Sequence, residues 1–201
     1  MADLIMLRHG QSTYNQENRF TGWLDVPLTE HGIQEAESAA VKLFEYKIDI
    51  AYTSKLKRAI DTLNIILDMK KNDHIPIIEN VALNERNYGE LQGLNKADVT
   101  EKYGETQVLL WRRSFNITPP GGESLKDTSA RVLPFFRSVI CKDISKGLNV
   151  LVVAHGNSLR AIFKELDGIS DEDIVSLNIN TGKIYLYQLD PDLIIVNKKI
   201  L

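Results

Sequence analysis

Apolar runs that end abruptly in polar or glycine-bearing turns divide this chain into alternating strands and helices. Leu4-Ile5-Met6-Leu7 is continuously apolar, the mark of a strand covered on both faces, since a half-exposed strand alternates. Thr29 predicts the N-cap of a helix that carries Ile33, Ala36, Ala40, Leu43 and Phe44 on one face. Residues 48–53 read as a second strand, and Leu56, Ala59, Ile60, Leu63, Ile66 and Leu67 mark the next amphipathic helix. A turn at Asn72-Asp73 precedes a third strand over 76–81. From 84 to 123 the pattern loosens into short helical pieces, with Asn95 as a cap, Asp98 as the acid three residues on and Gly104 as the end. Ser124 and Asp127 open a helix that buries Val132, Phe135, Phe136, Val139 and Ile140 despite Pro134. A second fully apolar strand, Val150-Leu151-Val152-Val153-Ala154, leads to a helix from Ser158 and a short one after Ser170, where Asp173 is again the acid three on. Segments 184–187 and 194–196 close the sheet. This alternation predicts an α/β fold, a three-layer α/β/α sandwich with a mostly parallel central sheet, as one domain over residues 1–201.

The two fully apolar strands end alike, in Arg8-His9-Gly10 and in Ala154-His155-Gly156. A single histidine after a strand is more often a hydrogen-bonded turn residue than a catalyst. The repetition changes that, because ligands of open α/β sheets bind beyond the carboxyl ends of the strands, where both imidazoles would stand together. Arg8 beside His9 calls for an anion to share, and phosphate is the natural one. Gly10 is expected to turn the backbone sharply and leave room for a ligand. A nucleophilic imidazole must be neutral with its other nitrogen hydrogen-bonded, which a strand end can provide for His9.

Composition narrows the classes. A 201-residue chain buries roughly 70% of the surface its unfolded form exposes, enough for one substantial core. With 43% hydrophobic and 25% charged residues it is ordinary for a soluble domain, and a net charge of -3 argues against nucleic acid as a partner. Its apolar runs fall far short of the ~20 residues of a membrane helix, and no signal segment opens it, so no membrane and a cytoplasmic location are expected. The lone Cys141 suits a reducing compartment and reads as a packing residue.

The stretches LRHGQSTYNQENRFTGWLDVPLTEHG, YTSKLKRAIDTL, LNERNYGELQGLNK, WRRSF, TPPGGESL and AHGNSLRA together span nearly the whole chain. They resemble the histidine phosphatase superfamily and, within it, the 2,3-bisphosphoglycerate-dependent phosphoglycerate mutases. RHG alone is weak; NERNYGELQGLNK followed by WRR separates mutases from general phosphatases. The resemblance implies a phosphoglycerate mutase-like fold and interconversion of 3-phosphoglycerate and 2-phosphoglycerate in glycolysis and gluconeogenesis. The reaction would pass through phospho-His9, primed by 2,3-bisphosphoglycerate and without metal. It implies that Arg8, Arg58 and His155 surround the transferring group, with Asn15 and the Gly156 N–H as further phosphate contacts and Glu85 as general acid and base. Tyr88, Lys96, Arg112 and Arg113 would hold a second anionic group, and Ser12, Thr21, Gly22 and Asn157 would finish the cradle.

Each residue also has a plainer reading: Arg58 as a helix surface residue, Glu85 as a loop acid paired with Arg86, Arg112-Arg113 as a solvated face. A transition-metal site is disfavoured, because the other two histidines, His31 and His74, lie in segments read as a helix start and a turn, with no paired ligand spacing. A non-catalytic phosphate-binding module would not need Glu85 together with both His-Gly strands. The closest rival is a phosphatase of the same superfamily acting on small phosphorylated metabolites. Two departures from the family pattern stand out. Only Gly121 and Gly122 separate Pro120 from Glu123 where many members carry a long insertion, which leaves a homodimer open, and no long tail is expected after the last strand to cover the site.

Overall fold

In the computed structural model, residues 1–72 and 74–201 are described. Its frame is a six-stranded sheet in the order β3-β2-β4-β1-β5-β6. The strands are β1 (Ala2–Arg8), β2 (Ile50–Thr53), β3 (Ile77–Glu79), β4 (Val150–Ala154), β5 (Ile184–Leu189) and β6 (Ile195–Ile200). The first four pair in parallel and β5 and β6 are antiparallel, so the sheet is mostly parallel as the alternation predicts. Central β4 is buried along its whole length, which is why its sequence has no polar alternation.

Side chains leave each strand on alternate faces and build two cores. Leu4 and Met6 of β1 and Val150 and Val152 of β4 face Val132, Phe136, Ile140, Ile144 and Phe163, which belong to the helical run from α6 (Leu125–Phe135) to α7 (Cys141–Ser145) and to α8 (Gly156–Leu166). Ile5, Leu7, Leu151 and Val153 face the other way, onto α2 (Glu30–Lys42) and α3 (Lys57–Lys70). Helices therefore cover both faces, in three layers. Pro134 has no N–H to close its helical bond, and the backbone answers with a wide five-residue turn, Phe136–Ile140, before α7 resumes. Cys141 packs half-buried against this core, its thiol pushed up to about 11 by burial.

Several sequence expectations need correction. Ile33 and Phe44 are exposed, because α2 presents Gly32, Ala36, Ala39 and Ala40 to the sheet and small residues let it approach closely. The third strand covers only Ile77–Glu79; Val81 is drawn into a tight 3-10 turn capped by Asn80. The second strand starts at Ile50 rather than residue 48. The helix expected from Ser158 begins at Gly156, with His155 as its N-cap. Phe135 and Val139 are only partly buried. Asn72 follows α3, while Asp73, the other half of the expected turn, lies outside the described residues.

The loosely patterned stretch holds α4 (Lys96–Tyr103), capped by Asn95 and ended at Gly104, and α5 (Glu105–Arg113). With Phe20 and Leu91, their Val99, Val108 and Trp111 make a third, small core against which Tyr88 packs. The Gly121-Gly122 connection is fastened down: Pro120 O accepts from Glu90 N at 2.9 Å and Asn87 O from Glu123 N at 2.8 Å.

Candidate active site

Pairing of β1 with β4 sets Arg8 opposite Ala154, so His9 and His155 leave the carboxyl edge of the sheet together. His9 N–H donates to Ala154 O at 3.0 Å, and the two rings lie 4.9 Å apart. Both histidines are buried, at 2% and 0% exposure.

The neighbours of His9 decide its tautomer. Nδ1 is 2.7 Å from Gly10 O, a pure acceptor, so Nδ1 carries the proton. Nε2 accepts from the Arg58 Nε–H at 3.3 Å, which requires a bare lone pair there. Burial first, then Arg58 and Arg8, hold the imidazole well below its usual pKa. The result is a neutral ring with an available Nε2, the form that can attack phosphorus. The Gly10 peptide is itself fixed, its N–H donating to Thr62 Oγ1 at 3.1 Å. Gly10 proves to serve packing rather than ligand access: a Cβ there would strike the backbone of Gly32 in α2.

Arg58, expected as a pocket cation with a surface helix residue as its plainer reading, is 1% exposed. Its other nitrogens donate to Leu24 O at 3.0 Å and Gly22 O at 2.8 Å, and burial lowers its pKa to about 10. Gly22, at φ +56, is held in the left-handed region and offers its carbonyl to this arginine.

Beside the histidines, with their chain neighbours Arg8 and Gly156 in its wall, opens a cavity of about 520 Å³. Arg8, Asn15, Thr21, Gly22, Glu85, Tyr88, Lys96, Arg112, Arg113, Gly156 and Asn157 all line it, so nearly every expected contact residue converges there. His9, His155 and Arg58 are buried and do not themselves line it, and neither does Ser12, which is buried as the N-cap of α1 (Thr13–Gln16) and bonds Asn15 Oδ1 at 3.0 Å. That bond occupies the carbonyl end of the Asn15 amide and leaves its NH2 for the cavity.

Glu85 is 8% exposed and asymmetric. Its Oε1 accepts from Arg86 N at 2.7 Å, Asn157 N at 3.1 Å and Asn157 Nδ2 at 2.9 Å. Oε2 takes part in none of these bonds, and it lies with the Arg8 guanidinium around Gly156. The pairing of Glu85 with Arg86 is through the backbone N–H; the Arg86 guanidinium instead donates to Tyr88 OH at 3.0 Å and Arg112 O at 2.8 Å. Among the described residues, the cavity wall carries Arg8, Arg19, Lys96, Arg112, Arg113 and Arg160 against Glu35 and Glu85. Burial and then Arg112 bring Lys96 down to about 8, as expected of cations crowded without their anion.

Sequence reasoning missed three supporting residues. Arg160, 3% exposed, bonds Asn157 Oδ1 at 3.0 Å and so aims the Asn157 NH2 at Glu85. It lies three residues beyond Asn157 on α8, and that spacing was the available signal. Arg131 donates to Ala82 O, Asn84 O and Glu85 O and pairs with Glu123, pinning the loop that carries Glu85. Ser54 meets His155 Nε2 at 2.7 Å. Neither of the latter has a local sequence signal.

Among the described residues, no cluster of three or more His, Cys, Asp or Glu is arranged to hold a metal ion, and no helix is long and apolar enough to cross a membrane.

A protein from Cytophaga hutchinsonii named 2,3-bisphosphoglycerate-dependent phosphoglycerate mutase is 55% identical, with 96% of this chain and 90% of that protein covered. A protein of the same name from Parvibaculum lavamentivorans is 52% identical, covering 98% and 95%. Among solved structures, a mycobacterial glucosyl-3-phosphoglycerate phosphatase superposes with a TM-score of 0.85 at 26% identity, covering 100% of this chain and 97% of the other. Bacillus stearothermophilus YhfR superposes with a TM-score of 0.83 at 26% identity, covering 94% and 92%. A family model matches residues 4–198, and with it the paired strand-end histidines find their context: the chain belongs to the histidine phosphatase superfamily, branch 1.

Proposed function

We propose that this chain, acting as one domain, interconverts 3-phosphoglycerate and 2-phosphoglycerate by way of a phosphoryl group carried on His9. One observation carries the reading beyond the superfamily: a second bank of cations, Lys96, Arg112 and Arg113, lines the same cavity as Arg8 and Gly156, the chain neighbours of His9 and His155. A phosphatase needs one anion site, whereas a mutase must grip a molecule with anions at both ends.

In this reading a substrate hydroxyl attacks the phosphorus on His9 Nε2, the P–N bond breaks, and the hydroxyl proton passes to Glu85 Oε2. The bisphosphorylated product turns within the cavity. His9 then takes the other phosphoryl group while Glu85 returns a proton to the oxygen released. Arg8, Arg58, His155, Asn15 and the Gly156 N–H hold the oxygens of the group in transit. Tyr88, Lys96, Arg112 and Arg113 hold the far anion, with Thr21, Gly22 and Asn157 between the two ends. Fixed cations around spreading negative charge are where such a site gains its rate, since phosphoryl transfer leaves the protein mainly positioning and electrostatics to supply.

The primer implied here, 2,3-bisphosphoglycerate, supplies the first phosphoryl group. Its several negative charges fit the cationic excess of the wall and the buried, unpartnered Arg8 Nε and His155 Nδ1. We place the enzyme in the cytoplasm.

The test is a mutase assay with and without primer in the presence of a chelator, with the phosphoenzyme label mapped. Primer dependence, resistance to chelation and label on His9 are expected. Loss of activity with chelator, or label elsewhere, overturns the reading. Hydrolysis of the bisphosphate outrunning isomerisation would instead place the chain with the superfamily's phosphatases.

A further inference from the structure

We infer that Ser54 is a positioning residue that holds His155 in the tautomer with its proton on Nδ1, so that this N–H donates to the phosphoryl group in transit. The functional half of this rests on His9 as the phosphoryl carrier; the tautomer does not.

Ser54 follows β2 and is fully buried, as is His155 at the end of neighbouring β4. Ser54 Oγ lies 2.7 Å from His155 Nε2, and two assignments of the bridging proton are open in principle. The surroundings favour one. Ser54 Oγ already accepts the Leu56 N–H at 3.1 Å, in a tight turn that fixes the hydroxyl. Among the described contacts, the hydroxyl hydrogen has only His155 Nε2 to go to. Were Nε2 protonated, that hydrogen would be buried without an acceptor. The hydroxyl therefore donates, Nε2 accepts, and the ring proton of neutral His155 sits on Nδ1.

Nδ1 is itself buried and makes no hydrogen bond among the described residues; the Ser158 N–H of the first turn of α8 faces the His155 side chain as in a capping box without forming a cap hydrogen bond. A buried donor without an acceptor is explained by one that arrives with the ligand, and a phosphoryl oxygen beside His9 is such an acceptor. The two histidines thus carry opposite tautomers: His9 spends its Nδ1–H on Gly10 O and keeps the Nε2 lone pair for attack, while His155 spends its Nε2 lone pair on Ser54 and keeps its N–H for stabilisation.

The experiment is a long-range 1H–15N spectrum of the full, histidine-labelled chain near pH 7.5, before and after adding orthovanadate. His155 is expected to show protonated Nδ1 and bare Nε2, with the Nδ1–H signal moving on vanadate addition. A protonated Nε2 in the unaltered protein, or an Nδ1–H indifferent to bound vanadate, overturns the inference. Ser54→Ala should mix the tautomers and lower kcat tenfold or more with KM changed less than threefold, and Ser54→Thr should restore both. Ser54→Ala with unchanged kcat, or Ser54→Thr losing as much as Ser54→Ala, would reduce Ser54 to a packing residue. If Ser54→Ala does not fold, the spectrum of the unaltered protein still decides. Label mapped away from His9 would remove the functional reading and leave the tautomer result standing.

Discussion

His9 and His155, 146 positions apart in the numbering, lie with their rings 4.9 Å apart and inclined by 60°. Burial, and after it Arg58, holds both imidazoles well below the usual histidine value. Two neutral imidazoles can share this space; two imidazolium ions beside Arg58 could not.

That relationship predicts how stability responds to acid. The folded-state pKa values are depressed, so between them and the unfolded value near 6.5 the unfolded chain binds more protons. Stability is full above about pH 6.5 and falls as pH drops below it, by up to about 2.7 kcal/mol per pH unit for the pair. Urea midpoints measured from pH 7.5 to 5 should show this fall, and His9→Asn with His155→Gln should flatten it. An unchanged slope in the double variant would mean other groups carry the acid response.

Lys96 gives a second pH signature, at the alkaline end. With its pKa brought to about 8, it loses charge just above neutrality, whereas a bound polyanion restores the charged form. Substrate binding at pH 8 should take up protons, and KM should rise above pH 8. Lys96→Arg, which stays charged, should abolish that rise in KM; a rise that persists would assign it to another group.

Arg112 should matter to substrate choice more than to chemistry at phosphorus, since it lines the wall beside Lys96 while Arg58 reaches His9. It is only partly buried, so the low end of the range for losing a charged contact applies, about 2 kcal/mol or more than tenfold in affinity for phosphoglycerates. Phosphorylation of His9 by a small donor lacking a second anion should fall much less in Arg112→Ala. Equal damage to both would move Arg112 to the transferring site.

Gly156→Ala separates stability from function. An added methyl would meet Arg8 and Glu85 Oε2 at 3.7 Å, ordinary contact, and φ there is not positive, so Tm should hold. The methyl would occupy space between Arg8 and Glu85 that the phosphoryl group needs, so kcat/KM should fall at least tenfold. A drop in Tm with activity per folded molecule intact would show that this space is structural.

What was legible in the chain alone follows from where its physics is local. Continuous apolar runs at Leu4–Leu7 and Val150–Ala154 announced central strands because burial on both faces removes polar alternation, and His9 and His155 stood at their ends. The caps at Thr29, Asn95 and Ser124 were readable because capping is satisfied within one turn. Ile33 and Phe44 were misread because a helical face can be rotated by what it packs on, and small residues won that contest. Gly10 was given to a ligand when its real neighbour is Gly32 in α2, a backbone contact no local pattern records. The sheet order that places β4 between β1 and β2 was decided only by tertiary structure. That order brings Ser54 to His155; the packing of α6 and α8 brings Arg131 to the Glu85 loop and turns Asn157 toward Glu85 through Arg160. Hydrogen bonds between residues tens of positions apart depend on a fold already made, so the chain alone could bring forward the candidate residues while their aim was left to the residues behind them.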